Sequence, residues 1–215
     1  MSPPVVLVSS TVVGIQELLD RVYGLLTSFG YEVWMSHKGT VPVRSDRTAF
    51  ENCLAAVDQC DLFLGILTGR YGSGQVEGQL SITHQEFARA IELNKPRWFL
   101  THADVVFARR LLRDLGFATP EQRAALNLRS GAKSIEDVRV IDMYETAIRA
   151  HEPLNARTGN WVQEFRNDAD ALLFASAQFS RFQEAEAFLR ENMNSPQSVM
   201  AQIAERRSER SGDDS

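Results

Sequence analysis

Short apolar runs alternate with amphipathic stretches along the first half of the chain. Residues 5–8 are wholly apolar and mostly β-branched, and the run breaks off at Ser9-Ser10-Thr11. A run with no polar position to face water predicts a strand buried on both faces of a parallel sheet, with a helix starting after it. Val13, Leu18, Leu19, Val22, Leu25 and Leu26 then recur near helical spacing, and Gly30 supplies the stop. Residues 31–35 predict a second strand. A loop over residues 37–45 follows, after which Asp46 is the expected cap of a helix through Ala49, Leu54, Ala55 and Val57. Residues 61–67 predict strand three. A helix over residues 83–93 ends at Asn94-Lys95-Pro96, because the residue before proline is pushed out of the helical region. Residues 97–101 predict strand four.

Four alternating strand and helix units predict an α/β fold whose parallel sheet carries helices on both faces. Beyond Asp104 the pattern loosens. Residues 105–115 read as a helix, and residues 118–134 as irregular structure with one short helix. Residues 138–142 read either as a fifth strand or as the start of a helix. Trp161, Phe165, Leu172, Leu173, Phe179, Phe188 and Leu189 suit one or two C-terminal helices over residues 160–192. The expected organisation is an α/β core over residues 1–115, an irregular segment with helices packed on it over 116–203, and a charged, disordered tail over 204–215.

With 215 residues the chain suits one domain of substantial core, and a formal charge of -5 disfavours general nucleic-acid binding. No run is long and apolar enough for a membrane span, and no signal-peptide pattern precedes residue 5. Cys53 and Cys60 fall on one predicted helix about 10.5 Å apart at a helical rise of 1.5 Å per residue. A disulfide needs roughly 7 Å or less. They read as buried thiols of a reducing cytoplasm, and the four histidines show no metal-ligand spacing, so no metal site is expected.

Candidate chemistry gathers where the strands end, because ligands of open α/β sheets sit outside the carboxyl ends of the strands. Glu86 is the leading candidate. It follows the loop Gly69-Arg70-Tyr71-Gly72-Ser73-Gly74, whose glycines permit close approach of backbone N–H groups to a phosphate. That loop lacks both the P-loop ending and the dehydrogenase glycine spacing. Thr83-His84-Gln85-Glu86 fits a capping box, which alone would account for the glutamate. The positive helix end would keep Glu86 ionised near neutral pH, fit to stabilise an oxocarbenium-like ribose. Ser9, Ser10 and Thr11 are either helix caps or ribose and phosphate contacts. Arg44 and Arg70 are candidate pyrophosphate contacts, and Tyr71 and Gly72 candidate edges of a nucleotide pocket. Tyr71, Trp34 and Trp98 are either stacking partners for a base or core, and aromatics within strands are more often core. Gly-x-Ser-x-Gly is absent, which removes the hydrolase elbow.

The ordered series Val8-Ser9-Ser10-Thr11, Cys60-Asp61-Leu62-Phe63-Leu64-Gly65-Ile66-Leu67, Gly69-Arg70-Tyr71-Gly72, Ser81-Ile82-Thr83-His84-Gln85-Glu86-Phe87 and Lys95-Pro96 resembles a bacterial family of formerly unknown function. That family is related to Toll/interleukin-1 receptor (TIR) domains and to nucleoside 2-deoxyribosyltransferases. The resemblance spans roughly residues 5–115, and Gly159-Asn160-Trp161-Val162-Gln163-Glu164-Phe165 extends it. It implies a flavodoxin-like, TIR-like sheet with Glu86 as the catalytic carboxylate at an N-glycosidic carbon. It further implies cleavage of the nicotinamide-ribose bond of NAD, as hydrolysis, cyclisation or transfer, in bacterial anti-phage defence. NAD is then a consumed substrate, no cofactor is expected, and the partners are further copies of the chain or a larger defence protein. Base removal or exchange on a nucleoside and a non-catalytic TIR-like interaction module are the alternatives.

Overall fold

The computed structural model describes residues 3–72 and 80–181. Five strands form one parallel sheet: β1 (Val5–Ser10), β2 (Glu32–Trp34), β3 (Leu62–Leu67), β4 (Arg97–His102) and β5 (Val162–Phe165). Their order is β2-β1-β3-β4-β5. This is the flavodoxin-like doubly wound order, whose direction of winding reverses between β1 and β3. Every residue of β3 is buried, as expected of a central strand covered on both faces.

The helices are α1 (Gln16–Ser28), α2 (Ala49–Gln59), α3 (Ile82–Glu92), α4 (Ala103–Asp114), α5 (Pro120–Ala124), α6 (Arg139–Ala147) and α7 (Asp168–Phe179). Alternation along the strands sends Leu7, Phe63 and Phe99 into one core, shared with Val57 of α2, Phe87 and Ala90 of α3, and Val140 and Met143 of α6. Residues through Phe174 form one compact unit, and residues from Ala175 belong to a second, of which 175–181 are described.

The expected elements of the first half are present with shifted ends. Asp46 does not cap α2. Thr48 does, in a capping box with Glu51, while Asp46 pairs with Arg44. The open choice over residues 138–142 resolves as helix α6. The helix expected from residue 160 is overturned: residues 162–165 are β5, paired with β4. Val162 and Phe165 gain an apolar sheet edge there, and helix starts only at Asp168, where Asn167 accepts from the Asp170 N–H. The short helix expected in residues 118–134 is α5, opened by a capping box between Thr119 and Gln122. The tail over 204–215 and the helical positions Phe188 and Leu189 lie outside the described residues.

Arg123 on α5 is buried to 2% exposure and donates to Asp142 and Glu145 of α6, while Arg109 of α4 holds the other oxygen of Glu145. This network ties three helices together. Arg123→Ala leaves the half-buried Asp142 without its cation and the buried Glu145 with Arg109 alone, and unfolding in urea should show a loss of about 3 kcal/mol. Arg44→Ala, which removes an exposed pair, should leave the urea midpoint unchanged.

Candidate functional site

A cleft of about 640 Å³ opens at the carboxyl end of the sheet, between β1 and β3 where the winding reverses. Glu86 forms part of its wall. The residue belongs to the second turn of α3, and its side chain reaches back to the sheet, where the Ser9 hydroxyl donates to Oε2 at 2.6 Å. The Cys53 thiol of α2 donates to the same carboxylate. Ser9 lies beside Gly65 in the β1–β3 register. A methyl group on Gly65 would sit 2.7 Å from Phe87 and 2.6 Å from Phe99, so only glycine lets α3 come this close.

Burial pushes the Glu86 carboxyl up to about 7, against the opposing hydrogen bonds from Ser9 and Cys53. The expected ionisation by the helix end is therefore corrected: Glu86 lies beyond the first turn, where that field has faded, and loss of water dominates. Burial, and then the neighbouring Glu86, push the Cys53 thiol up to about 11. A carboxyl near 7 supplies both protonation states at neutral pH, as a general acid or base requires.

The capping box expected at Thr83 and Glu86 does not form. Ser81 caps α3, its hydroxyl accepting from the His84 N–H at 3.3 Å, and Glu86 is released from capping altogether. Thr83 lines the cleft instead.

Ser9, Ser10 and Thr11 all line the cleft, as do Arg70, Tyr71 and Gly72. Thr11 donates to the Arg70 carbonyl at 3.1 Å, joining the ends of β1 and β3. Arg44 is not in the wall; it pairs with Asp46, and its backbone is held by Asn52. Tyr71 is 1% exposed rather than a free edge. Its hydroxyl meets His84 Nδ1 at 3.0 Å, while His84 Nε2 meets Thr146 Oγ1 at 3.2 Å. Thr146 gives its own proton to the Asp142 carbonyl. His84 therefore donates through Nε2 and accepts from Tyr71 through Nδ1, a neutral ring. Burial first, and then Arg139, depress it to about 4.

Among the cleft residues that the sequence reading did not assign there are Ser36, Cys53, Glu136, Asp137 and Arg139. Of the Gly69–Gly74 loop, Gly69 is covered by the chain itself, and Ser73 and Gly74 lie outside the described residues. A methyl on Gly69 would lie 1.9 Å from the Ser134 carbonyl, and the Glu136 N–H donates to the Gly69 carbonyl at 2.8 Å. That contact brings residues 136–139 to the mouth. Among the described residues no cluster of metal-ligating side chains occurs. Nor is any described helix long and apolar enough to cross a membrane.

Glu86 sets a pH dependence of stability. The folded chain holds the proton to about pH 7, the unfolded chain only to the ordinary 4.5, so stability falls as pH rises between them. Glu86→Gln removes that loss, and thermal unfolding should find the variant more stable at pH 8 by the order of 3 kcal/mol and equal near pH 4. The opposite contribution of His84, lost as pH falls from 6.5 toward 4, is common to both proteins and cancels. Ser81→Ala should cost about 1 kcal/mol of stability, whereas Thr83→Ala should cost no cap.

No curated protein matches the sequence. A family model described as "Domain of unknown function (DUF4062)" matches residues 5–194, so that both the Ser9–Glu86 contact and the mouth residues 136–139 fall inside it. The chain belongs to this family.

Proposed function

We propose that the chain cleaves an N-glycosidic bond of a nucleotide, with the nicotinamide-ribose bond of NAD as its substrate and Glu86 as the catalytic carboxylate. The observation that carries the proposal is the Ser9–Glu86 pair: a nearly buried carboxylate, held by two donors, at the winding reversal of a doubly wound sheet. A cleft of about 640 Å³ suits a small-molecule ligand of nucleotide size. In its ionised form Glu86 faces the positive charge that develops on the ribose as the base departs, and burial strengthens that attraction. Ser9 and Cys53 hold both the carboxylate and its orientation.

The resemblance to TIR domains and to nucleoside deoxyribosyltransferases supports the same carboxylate chemistry. Release of Glu86 from helix capping weighs against a purely architectural role in a non-catalytic module. Two arginines at the cleft, Arg70 and Arg139, weigh against a free nucleoside. ADP-ribose, a cyclic product or a transferred ADP-ribosyl group would follow according to the acceptor, in a defence setting and in an assembly of several chains.

Incubation of the purified chain with NAD and with a nucleoside panel, read by mass analysis, tests the proposal. NAD should be consumed, with turnover rising through about pH 7 as Glu86 ionises. Glu86→Gln should lower turnover by roughly 10²–10³-fold. Parental turnover in that variant, or no cleavage of any substrate by the parent at any protein concentration, rejects it.

A further inference from the structure

The two arginines of the cleft are held in different ways. Arg139 is locked by its near neighbour: Nε lies 3.1 and 3.0 Å from the two oxygens of Asp137, and its backbone N–H also donates to that carboxylate. Its guanidinium carbon stands 4.3 Å over the Tyr71 ring, so a second interaction fixes it. Among the described residues the Arg70 side chain makes one ion pair, NH1 to Glu136 Oε1 at 3.1 Å, with the side chains 36% and 53% exposed. The Arg70 backbone does not depend on that pair. Its N–H donates to the Thr68 hydroxyl, and its carbonyl accepts from Thr11. The Glu136 backbone is likewise fixed on Gly69. Exchange of the partner of Arg70 therefore needs only side-chain rotation.

Resting on the nucleotide reading of the cleft, we infer that Glu136 is a specificity-determining residue, an internal anion that holds the Arg70 guanidinium until a ligand phosphate displaces it. Arg139 is then the permanent cation and Arg70 the exchangeable one. An exposed, single-contact ion pair is weak, and a phosphate offers the guanidinium a bidentate partner of greater charge. A ligand without phosphate gains nothing from the exchange and leaves Arg70 with Glu136. The cleft thereby favours phosphate-bearing nucleotides over free nucleosides through competition rather than through an open cationic patch. The same carboxylate excludes weakly bound inorganic anions, which offer too few further contacts to offset its loss.

Titration calorimetry of the full chain with ADP-ribose and with adenosine tests this, because neither probe requires turnover. Glu136→Gln should bind ADP-ribose roughly two- to fivefold more tightly, the scale of one exposed ion pair, with adenosine unchanged. Arg70→Ala should weaken ADP-ribose binding, and in that background Glu136→Gln should give no gain. Equal gains with and without Arg70 would show that Glu136 acts only through the general field, and would overturn the assignment. Equal gains for adenosine, unchanged or weaker ADP-ribose binding by a folded Glu136→Gln, or no binding by either protein would overturn it too. If the expected binding pattern appears without cleavage of NAD, the anion competition stands and the catalytic reading fails.

Discussion

The absence of a side chain at Gly65 sets the distance between α3 and the sheet, and the site follows from that distance. Phe63, Phe87 and Phe99 fill the space around it, with Phe63 and Phe87 edge to face at 5.8 Å between ring centres. These rings draw α3 inward through Phe87, and the preceding residue, Glu86, is carried out of water to the end of β1. A buried carboxyl is unfavourable on its own. Aromatic packing that is already complete offsets this cost, so the chemistry is imposed by the core rather than added to its surface. Enlarging residue 65 would move the carboxylate before it touched any ligand.

Much of this architecture could be read from the order of residues. Strands β1 and β3 are built on apolar runs with no polar face, β4 holds Trp98-Phe99-Leu100 between polar ends, and the position of Glu86 at the carboxyl end of the sheet follows from their alternation with helices. Strand β5 was hidden because Val162-Gln163-Glu164-Phe165 is short and is an edge strand, apolar only at its ends. Its pairing partner on β4 decides its state. The cap of α3 was misplaced for a local reason: Ser81 and Thr83 are both capping residues by type, and the glutamate three residues after Thr83 gave it the look of a capping box that the docked helix does not form. Cys53 carried no signal, since a thiol in an apolar stretch is ordinarily core. The mouth residues 136–139 lie in a stretch without periodicity, and a contact such as that between Gly69 and Glu136 cannot be inferred from the spacing of either segment alone.

The polar network of Tyr71, His84 and Thr146 has a structural meaning apart from any ligand. It links the loop after β3, the first turn of α3 and helix α6 through one neutral imidazole. Each partner uses the other's hydrogen-bonding capacity, so the three elements are positioned relative to Glu86 without any charge being placed beside it.

Strand β5 is reached only after a long excursion from β4, through residues 103–161, and that excursion contains α6 and the mouth residues. A domain folds as a unit. Ser9 and Glu86 come from residues before the excursion and Asp137, Arg139 and Thr146 from within it, yet Val140 and Met143 of α6 enter the same core as Phe87 and Phe99. The carboxylate and the wall of its entrance are therefore completed in one step, although distant segments supply them. A substitution that unseats α6 would loosen the reactive group together with its entrance.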